Sequence, residues 1–204
     1  MRAYRLEEEG RYEEALAVWK SIEAKRRFGS EPRGRAVRCA RLAARAGRLE
    51  EALERMEKLF ARYPKDPAVL KGMESVGLRG ARQAQAEGKW LLACRMWAAF
   101  YRATGDDAKC LRNLAECARY VAQSADSVEK MQDALFAWSL LKEVDPYSQE
   151  AKRGMEWCYL SLARASERSA DFDGARRHWN ALLALSPDDQ RALDGLRRIT
   201  LAGA

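Results

Sequence analysis

The chain has 204 residues, 48% of them hydrophobic, with 37 Lys and Arg against 30 Asp and Glu, a formal net charge of +7. The apolar content is dominated by Ala and Leu rather than by the β-branched residues that strands favour, which argues against a strand-rich fold. The start, Met1-Arg2-Ala3-Tyr4-Arg5-Leu6-Glu7, carries no apolar signal core, and no run reaches the roughly 18 uninterrupted apolar residues of a membrane span, so the expected location is cytoplasmic. Cysteines at 39, 94, 110, 117 and 158 are an odd, scattered set, and they read as small buried helix residues rather than as a disulfide framework.

Along the chain, the order of signals is a repeat. Ala52, Ala93, Ala134 and Ala175 fall 41 apart, and Trp97, Trp138 and Trp179 stand four residues beyond the last three. One block upstream the same pair appears as Ala15 and Trp19, at a spacing of 37. A fixed period of this size marks supersecondary units stacked on copies of themselves, and it directs the search for function to a surface. The first unit (1–30) has only nine residues before Gly10, so its first helix is clipped. Units at 31–66, 67–107, 108–148 and 149–189 follow, and those that open after a stop, from residue 67 on, have a first helix of about 20 residues, a turn, and a second helix of about 15, within the ordinary range. Residues 190–204 start a sixth unit that acquires no second helix: a capping helix, or a module cut from a longer polypeptide.

Each unit closes on a stop: Tyr63-Pro64-Lys65-Asp66, Thr104-Gly105-Asp106-Asp107, Asp145-Pro146-Tyr147-Ser148 and Ser186-Pro187-Asp188-Asp189. Proline cannot continue a helix, and Asp66, Asp107, Ser148 and Asp189 are the expected N-caps of the helices that follow. Turns between paired helices fall at Gly10, Gly47 and Gly88, where a left-handed residue is easily adopted. The last two units have no glycine there and must turn at Asp126-Ser127 and Ala170-Asp171. In the second helices, the columns Tyr12/Leu49/Trp90/Met131/Phe172, the five alanines, Trp19/Met56/Trp97/Trp138/Trp179 and Ile22/Leu59/Phe100/Leu141/Leu182 advance by 3, 4 and 3, one buried stripe. Four of the six tryptophans are therefore core; Trp157 lies off the stripe. Ala40, Ala81, Ala122 and Ala163 in the first helices allow close approach of neighbouring backbones.

Gly10-Arg11-Tyr12-Glu13-Glu14-Ala15, Gly47-Arg48-Leu49-Glu50-Glu51-Ala52, and Ala175-Arg176-Arg177-His178-Trp179 through Pro187 resemble the second-helix opening and close of the tetratricopeptide repeat family. The resemblance spans essentially the whole chain. It implies an all-α, right-handed superhelical solenoid of antiparallel helix pairs, about five units plus a C-terminal partial or capping helix, forming a single domain over 1–204. The units exceed the family's 34 residues by seven, about two helical turns or 10 Å. The extra segments, 67–73, 108–114 and 149–155, directly follow the N-caps, so they lengthen first helices rather than loops. A helical-repeat class with units of about 40 to 47 residues is the competing label.

The charge is uneven. Arg33, Arg35, Arg38, Arg41, Arg45 and Arg48 run without an acid, and the last four advance by 3, 4 and 3 along one helix side. In steps of 41, Arg41 leads to Arg82, Gln123 and Arg164, and Arg38 leads to Arg79, Tyr120 and Ser161. In the family that this chain resembles, such first-helix positions line a concave groove, so a basic groove is implied, with Arg119 and Arg168 on the same wall and Trp157 and Tyr120 as aromatic contacts. The plain alternative is a solvated arginine face. The implied function is a protein-interaction scaffold whose partner presents an acidic or extended segment. The alternative is an accessory domain of a larger enzyme, for example in polysaccharide biosynthesis, that holds an anionic polymer. Self-association through the array ends is a third possibility. The paired lysines and asparagines with which some relatives grip a C-terminal carboxylate are missing.

No catalytic residues, metal ligands or cofactor motif are identified, and no enzymatic activity is expected. His178 sits beside core Trp179 and reads as a surface histidine, and Glu7-Glu8-Glu9 reads as a solvated acidic helix start. Cys110 and Cys117 are two turns apart, about 10 Å, too far to share a metal unaided.

Overall fold

The computed structural model describes residues 2–25, 32–105 and 107–202, all-α among those residues, with the chain falling into two compact bodies, an N-half of Met1–Cys110 and a C-half of Leu111–Ala204. Eleven helices are described: α1 (Arg2–Glu8), α2 (Tyr12–Lys25), α3 (Pro32–Arg45), α4 (Leu49–Arg62), α5 (Pro67–Ala86), α6 (Trp90–Thr104), α7 (Ala108–Gln123), α8 (Val128–Val144), α9 (Gln149–Arg168), α10 (Phe172–Leu185) and α11 (Gln190–Ala202). In the N-half α1 packs on α2, α2 on α3, α3 on both α4 and α5, and α5 on α6. In the C-half α9 packs on α8 and α10, and α10 on α11. These are the stacked helix pairs that the period implies, and the boundary between the two bodies falls three residues inside α7.

The extra segments lie inside first helices. Pro67–Met73 opens α5, Ala108–Leu114 opens α7 and Gln149–Met155 opens α9, and these helices run 20, 16 and 20 residues. The clipped α1 has 7 residues and the unlengthened α3 has 14. The four-residue difference between the 37 and 41 spacings is close to one helical turn, so the shortened unit keeps its faces in register.

All four expected N-caps act as such. The Asp66 carboxylate accepts from the backbone N–H of Ala68 and Val69, that of Asp107 from Lys109 and Cys110, that of Asp189 from Arg191 and Ala192, and the Ser148 hydroxyl oxygen accepts from Ala151. Gly10, Gly47 and Gly88 adopt φ of 73°, 80° and 69°. Where the last pair lacks glycine, Ala170 takes φ 59° and Asp171 caps the following helix through Gly174 N–H. A left-handed alanine is strained, and the cap and packing of α10 hold it. Ser127 caps α8 through Lys130 N–H.

The repeating stripe is the core. All five second-helix alanines are fully buried, and Trp19, Met56, Trp97, Trp138 and Trp179 are buried with them. Ala40, Ala81 and Ala163 are buried too, whereas Ala122 is half-buried near the end of α7. The side chains of Ile22 and Arg33 lie outside the described residues. Three of these bulky side chains, Met56, Trp138 and Trp179, are received by a glycine notch in the next first helix. A Cβ on Gly154 would stand 2.4 Å from the Trp138 ring, one on Gly195 2.3 Å from the Trp179 ring, and one on Gly72 2.9 Å from the Met56 methyl. Ala192 and Ile199 of α11 are buried against α10, so this helix covers the apolar face of the last pair.

A polar bond repeats with the stripe. The Trp19 indole N–H donates to Glu7 at 2.7 Å, Trp97 to Gln85 at 3.2 Å and Trp179 to Glu167 at 2.7 Å, always 12 residues back, from second helix to first. At two of these sites an arginine of the next first helix joins the carboxylate: Arg38 to Glu7 at 3.6 Å and Arg198 to Glu167 at 3.1 Å. Trp138 breaks the rule. The residue 12 back is Asp126, shorter than Glu, beyond the end of α7 and paired with Lys130 at 2.9 Å, and the buried Trp138 N–H has no partner.

Candidate functional site

The predicted arginine row is real but shorter than its spacing suggests. α3 ends at Arg45 and Gly47 turns left-handed, so Arg48 leaves the row and pairs with Glu13 at 3.2 Å and Glu51 at 3.3 Å. Arg38 stays on the row, yet its guanidinium lies 4.4 Å from the Tyr4 ring centre and 5.5 Å from that of Trp19, with Glu7 alongside. Its charge therefore helps to fasten α1 and α2 to α3. Glu7, read from sequence as solvated, is half-buried for the same reason: it accepts from Trp19 and balances Arg38.

Arg41 and Arg45 face the seam between α3 and α5, two first helices in direct contact. Arg41 spans it, donating from Nη2 to the backbone carbonyl of Lys71 at 3.1 Å, while its Nε is shielded from solvent and has no hydrogen-bond partner. Arg45 is exposed and lies 5.5 Å from the Tyr12 ring centre. Two adjoining cavities open on this seam, of about 440 and 270 Å³, and Arg41, Arg45 and Lys71 line both. Arg79 lines the smaller one, and with Arg82 it borders a third hollow further along α5. No described carboxylate forms an ion pair with Arg41, Arg45, Lys71, Arg79 or Arg82. Lys71 is the residue that sequence reasoning left out of the site. Its position 30 after Arg41 is the signal, because matched residues on adjacent first helices recur at 30 to 31, as in Glu7 to Arg38, Arg119 to Glu150 and Glu167 to Arg198.

In the C-half the predicted residues are placed differently. Arg119 is exposed and tied to Glu150 at 3.0 Å. Gln123, Arg164 and Arg168 are exposed, and Arg168 borders a hollow of about 270 Å³ between the α7–α8 turn and α9, where Asp126 also lies. Tyr120 and Trp157 are 42% and 44% exposed, so both aromatic rings are accessible, on α7 and α9. Phe136 and Tyr147 are further exposed rings here, at 45% and 89%.

All five cysteines are buried, as their scatter suggested. Burial pushes the Cys110 thiol, near Asp107, and the Cys158 thiol each up to about 12, which suits packing rather than nucleophilic chemistry. His178 departs from the sequence expectation of a surface residue: it is half-buried with its ring 6.4 Å from that of Tyr159, and burial, then Arg177, lowers its pKa against the opposing pull of Asp171. Among the described residues no three His, Cys, Asp or Glu side chains come together as a metal site, and no helix is long and apolar enough to cross a membrane.

These features define the class: an all-α array of antiparallel helix pairs repeating with the 41-residue period, with lengthened first helices that present charge on a surface. No protein-family model and no curated protein matches the chain. Among solved structures it is similar to a tetratricopeptide repeat protein of Parabacteroides merdae, at 16% identity over 98% of this chain and 70% of that one, TM-score 0.37. It is also similar to the nearly identical TPR-like repeats of a kinesin light chain from Podospora anserina, at 20% identity over 93% of each chain, TM-score 0.35. A third similar structure is the C-terminal part of a TPR repeat-containing protein of Cytophaga hutchinsonii, at 16% identity over 96% of this chain and 98% of that one, TM-score 0.33. The 41-residue pattern and its helix pairs, rather than these distant likenesses, carry the class.

Proposed function

We propose that the protein is a non-catalytic docking scaffold whose first-helix surface in the N-half receives an acidic, extended segment of a partner protein. The observation that carries this is the set of five cations on α3 and α5 (Arg41, Arg45, Lys71, Arg79 and Arg82) that line open hollows with no carboxylate bound to them. Unneutralised guanidinium groups held against a surface bind carboxylates in pairs, and their fixed geometry lowers the entropy cost of each contact. In the C-half, Arg164, Arg168 and Gln123 with Tyr120 and Trp157 form a separate and weaker contact surface, since Arg119 is already engaged by Glu150. Arg38 has a structural role.

An accessory role, holding an anionic polymer for an adjoining enzyme, is the second reading, and the charge of the N-half favours it: 24 Lys and Arg against 16 Asp and Glu in residues 1–110. Titration of a fluorescein-labelled peptide of alternating Gly and Asp separates the two. Docking predicts saturable, stoichiometric binding, weakened at least about tenfold by Arg41→Glu with Arg82→Glu and less than about threefold by Arg164→Glu with Arg168→Glu, with helicity unchanged. If both pairs of reversals weaken binding equally, and affinity falls steeply with salt for any polyanion, the polymer reading replaces docking.

A further inference from the structure

We propose that the α3–α5 cleft is a phosphate-recognition subsite, built to take the phosphoryl group of a phosphorylated serine or threonine in the partner's segment; this rests on the docking reading above. Three cations converge there from two helices. Arg41 is fixed in advance by its bond to the Lys71 carbonyl at 3.1 Å, and its buried Nε lacks an acceptor. A buried donor without a partner is costly, so the Arg41 guanidinium gains from any small rotation that brings Nε and its neighbouring Nη toward a ligand oxygen in the cavity. Arg45 is steadied by the Tyr12 ring, which orients a guanidinium without neutralising it. Lys71 adds a mobile point charge at the rim of the same cavity of about 440 Å³.

The acid on this cavity's lining, Glu7, is already engaged by Trp19 and Arg38, and Glu74 lines the smaller neighbour rather than this cavity. A carboxylate would bring one charge and two oxygens to three cations. A phosphomonoester brings about −1.5 to −2 and three oxygens, one for each of Arg41, Arg45 and Lys71. A nucleic acid would bring phosphates too, but the aromatic side chains beside this cleft are occupied: Tyr4 lies against Trp19 and Arg38, and Tyr12 lies against Arg45. No stacking platform remains for bases at this seam.

The test is fluorescence anisotropy with one labelled peptide, Gly-Asp-Asp-Ser-Asp-Asp-Gly, in three versions: phosphorylated on the serine, unmodified, and with glutamate in place of the serine. The expected result is that the phosphorylated version binds at least about tenfold more tightly than the unmodified one and at least about fivefold more tightly than the glutamate one. Arg41→Lys keeps the charge but removes the planar fork, and Lys71→Gln removes the point charge. Each should weaken binding of the unmodified peptide too, since both residues belong to the docking surface, but should weaken the phosphorylated peptide at least about fivefold more, so that most of the phosphate gain is erased. Arg82→Gln, outside both cavities, should shift all three peptides alike, and circular dichroism should confirm that each variant is folded. Equal binding of the phosphorylated and glutamate versions overturns the subsite and leaves the docking reading standing. So does a phosphate gain that survives both cleft variants, or a single-stranded oligonucleotide that binds as tightly as the phosphopeptide. Failure of all three peptides to bind overturns the docking reading and the subsite together.

Discussion

The N-half and the C-half are built on one pattern and differ in what they leave exposed. Residues 1–110 hold 24 basic against 16 acidic side chains, and residues 111–204 hold 13 against 14, so the positive charge of the whole chain resides in the first half. The second half carries the accessible rings of Tyr120, Phe136, Tyr147 and Trp157, whereas Tyr4, the exposed aromatic among the described residues of the first, lies against Trp19 and Arg38. The alanine column continues through both bodies without change, and the tryptophan column is interrupted once, by Met56. The lesson is a division of labour by register: positions on the stripe hold the array together, and first-helix positions off the stripe are free to vary in charge and in aromatic content.

That division is open to attack, beginning with the largest effect. If the stripe is equivalent in both halves, Trp97→Ala and Trp179→Ala should each cost about 3–5 kcal/mol, the usual range for a buried tryptophan, read from urea midpoints. A cost confined to one of them would show that one body depends on its stripe and the other does not.

A smaller effect separates two sites within the C-half. Glu167→Ala leaves the buried Trp179 N–H without an acceptor and Arg198 without its partner, and should cost about 1–3 kcal/mol. Trp138→Phe removes an N–H that has no partner to lose, so the hydrogen-bond penalty seen at Glu167 should be missing and only the change of ring volume should register in the same urea titration.

The smallest effect concerns His178, the single histidine of the chain, which gives the C-half a titration that the N-half lacks. Its folded pKa lies below the ordinary value because burial, then Arg177, disfavours the charged ring. The unfolded chain therefore binds the proton more readily, and this contribution is fully present above about pH 6.5 and is lost as pH falls through the lower folded value. Urea midpoints at pH 7.5 and 5.5 should drop more for the native protein than for His178→Gln. Equal drops would assign the loss to other groups.

Much of this architecture could be read from residues alone, because it is local and periodic. Asp66, Asp107, Ser148 and Asp189 announce helix starts through their own side chains, Gly47 announces a turn, and a stripe that advances by 3, 4 and 3 announces a buried face. What escaped the reading depends on residues far apart in the chain. The spacing of Arg38 gave no sign that Tyr4 and Glu7 would claim its guanidinium, nor did that of Arg48 that a turn would swing it toward Glu13 and Glu51. Lys71 belongs to the cleft because α5 lies beside α3, a relation that only the offset of 30 to 31 between first helices encodes. The burial of His178 follows from Tyr159 on the neighbouring helix, which a search around its own position misses.

The notches at Gly154 and Gly195 have a consequence for how such a molecule can change in length. Each of these two hollows receives a ring from the preceding unit, so the two halves of the joint are inherited in different copies of the motif. A tandem copy of residues 139–179 would place a second Gly154 16 residues after Trp179, the spacing at which Gly154 follows Trp138 and Gly195 follows Trp179, and so would regenerate a matched ring and hollow at the new junction. Substitution at one member alone spoils a joint. Growth by whole copies is thus the mechanically cheap route, and drift within a joint is the expensive one.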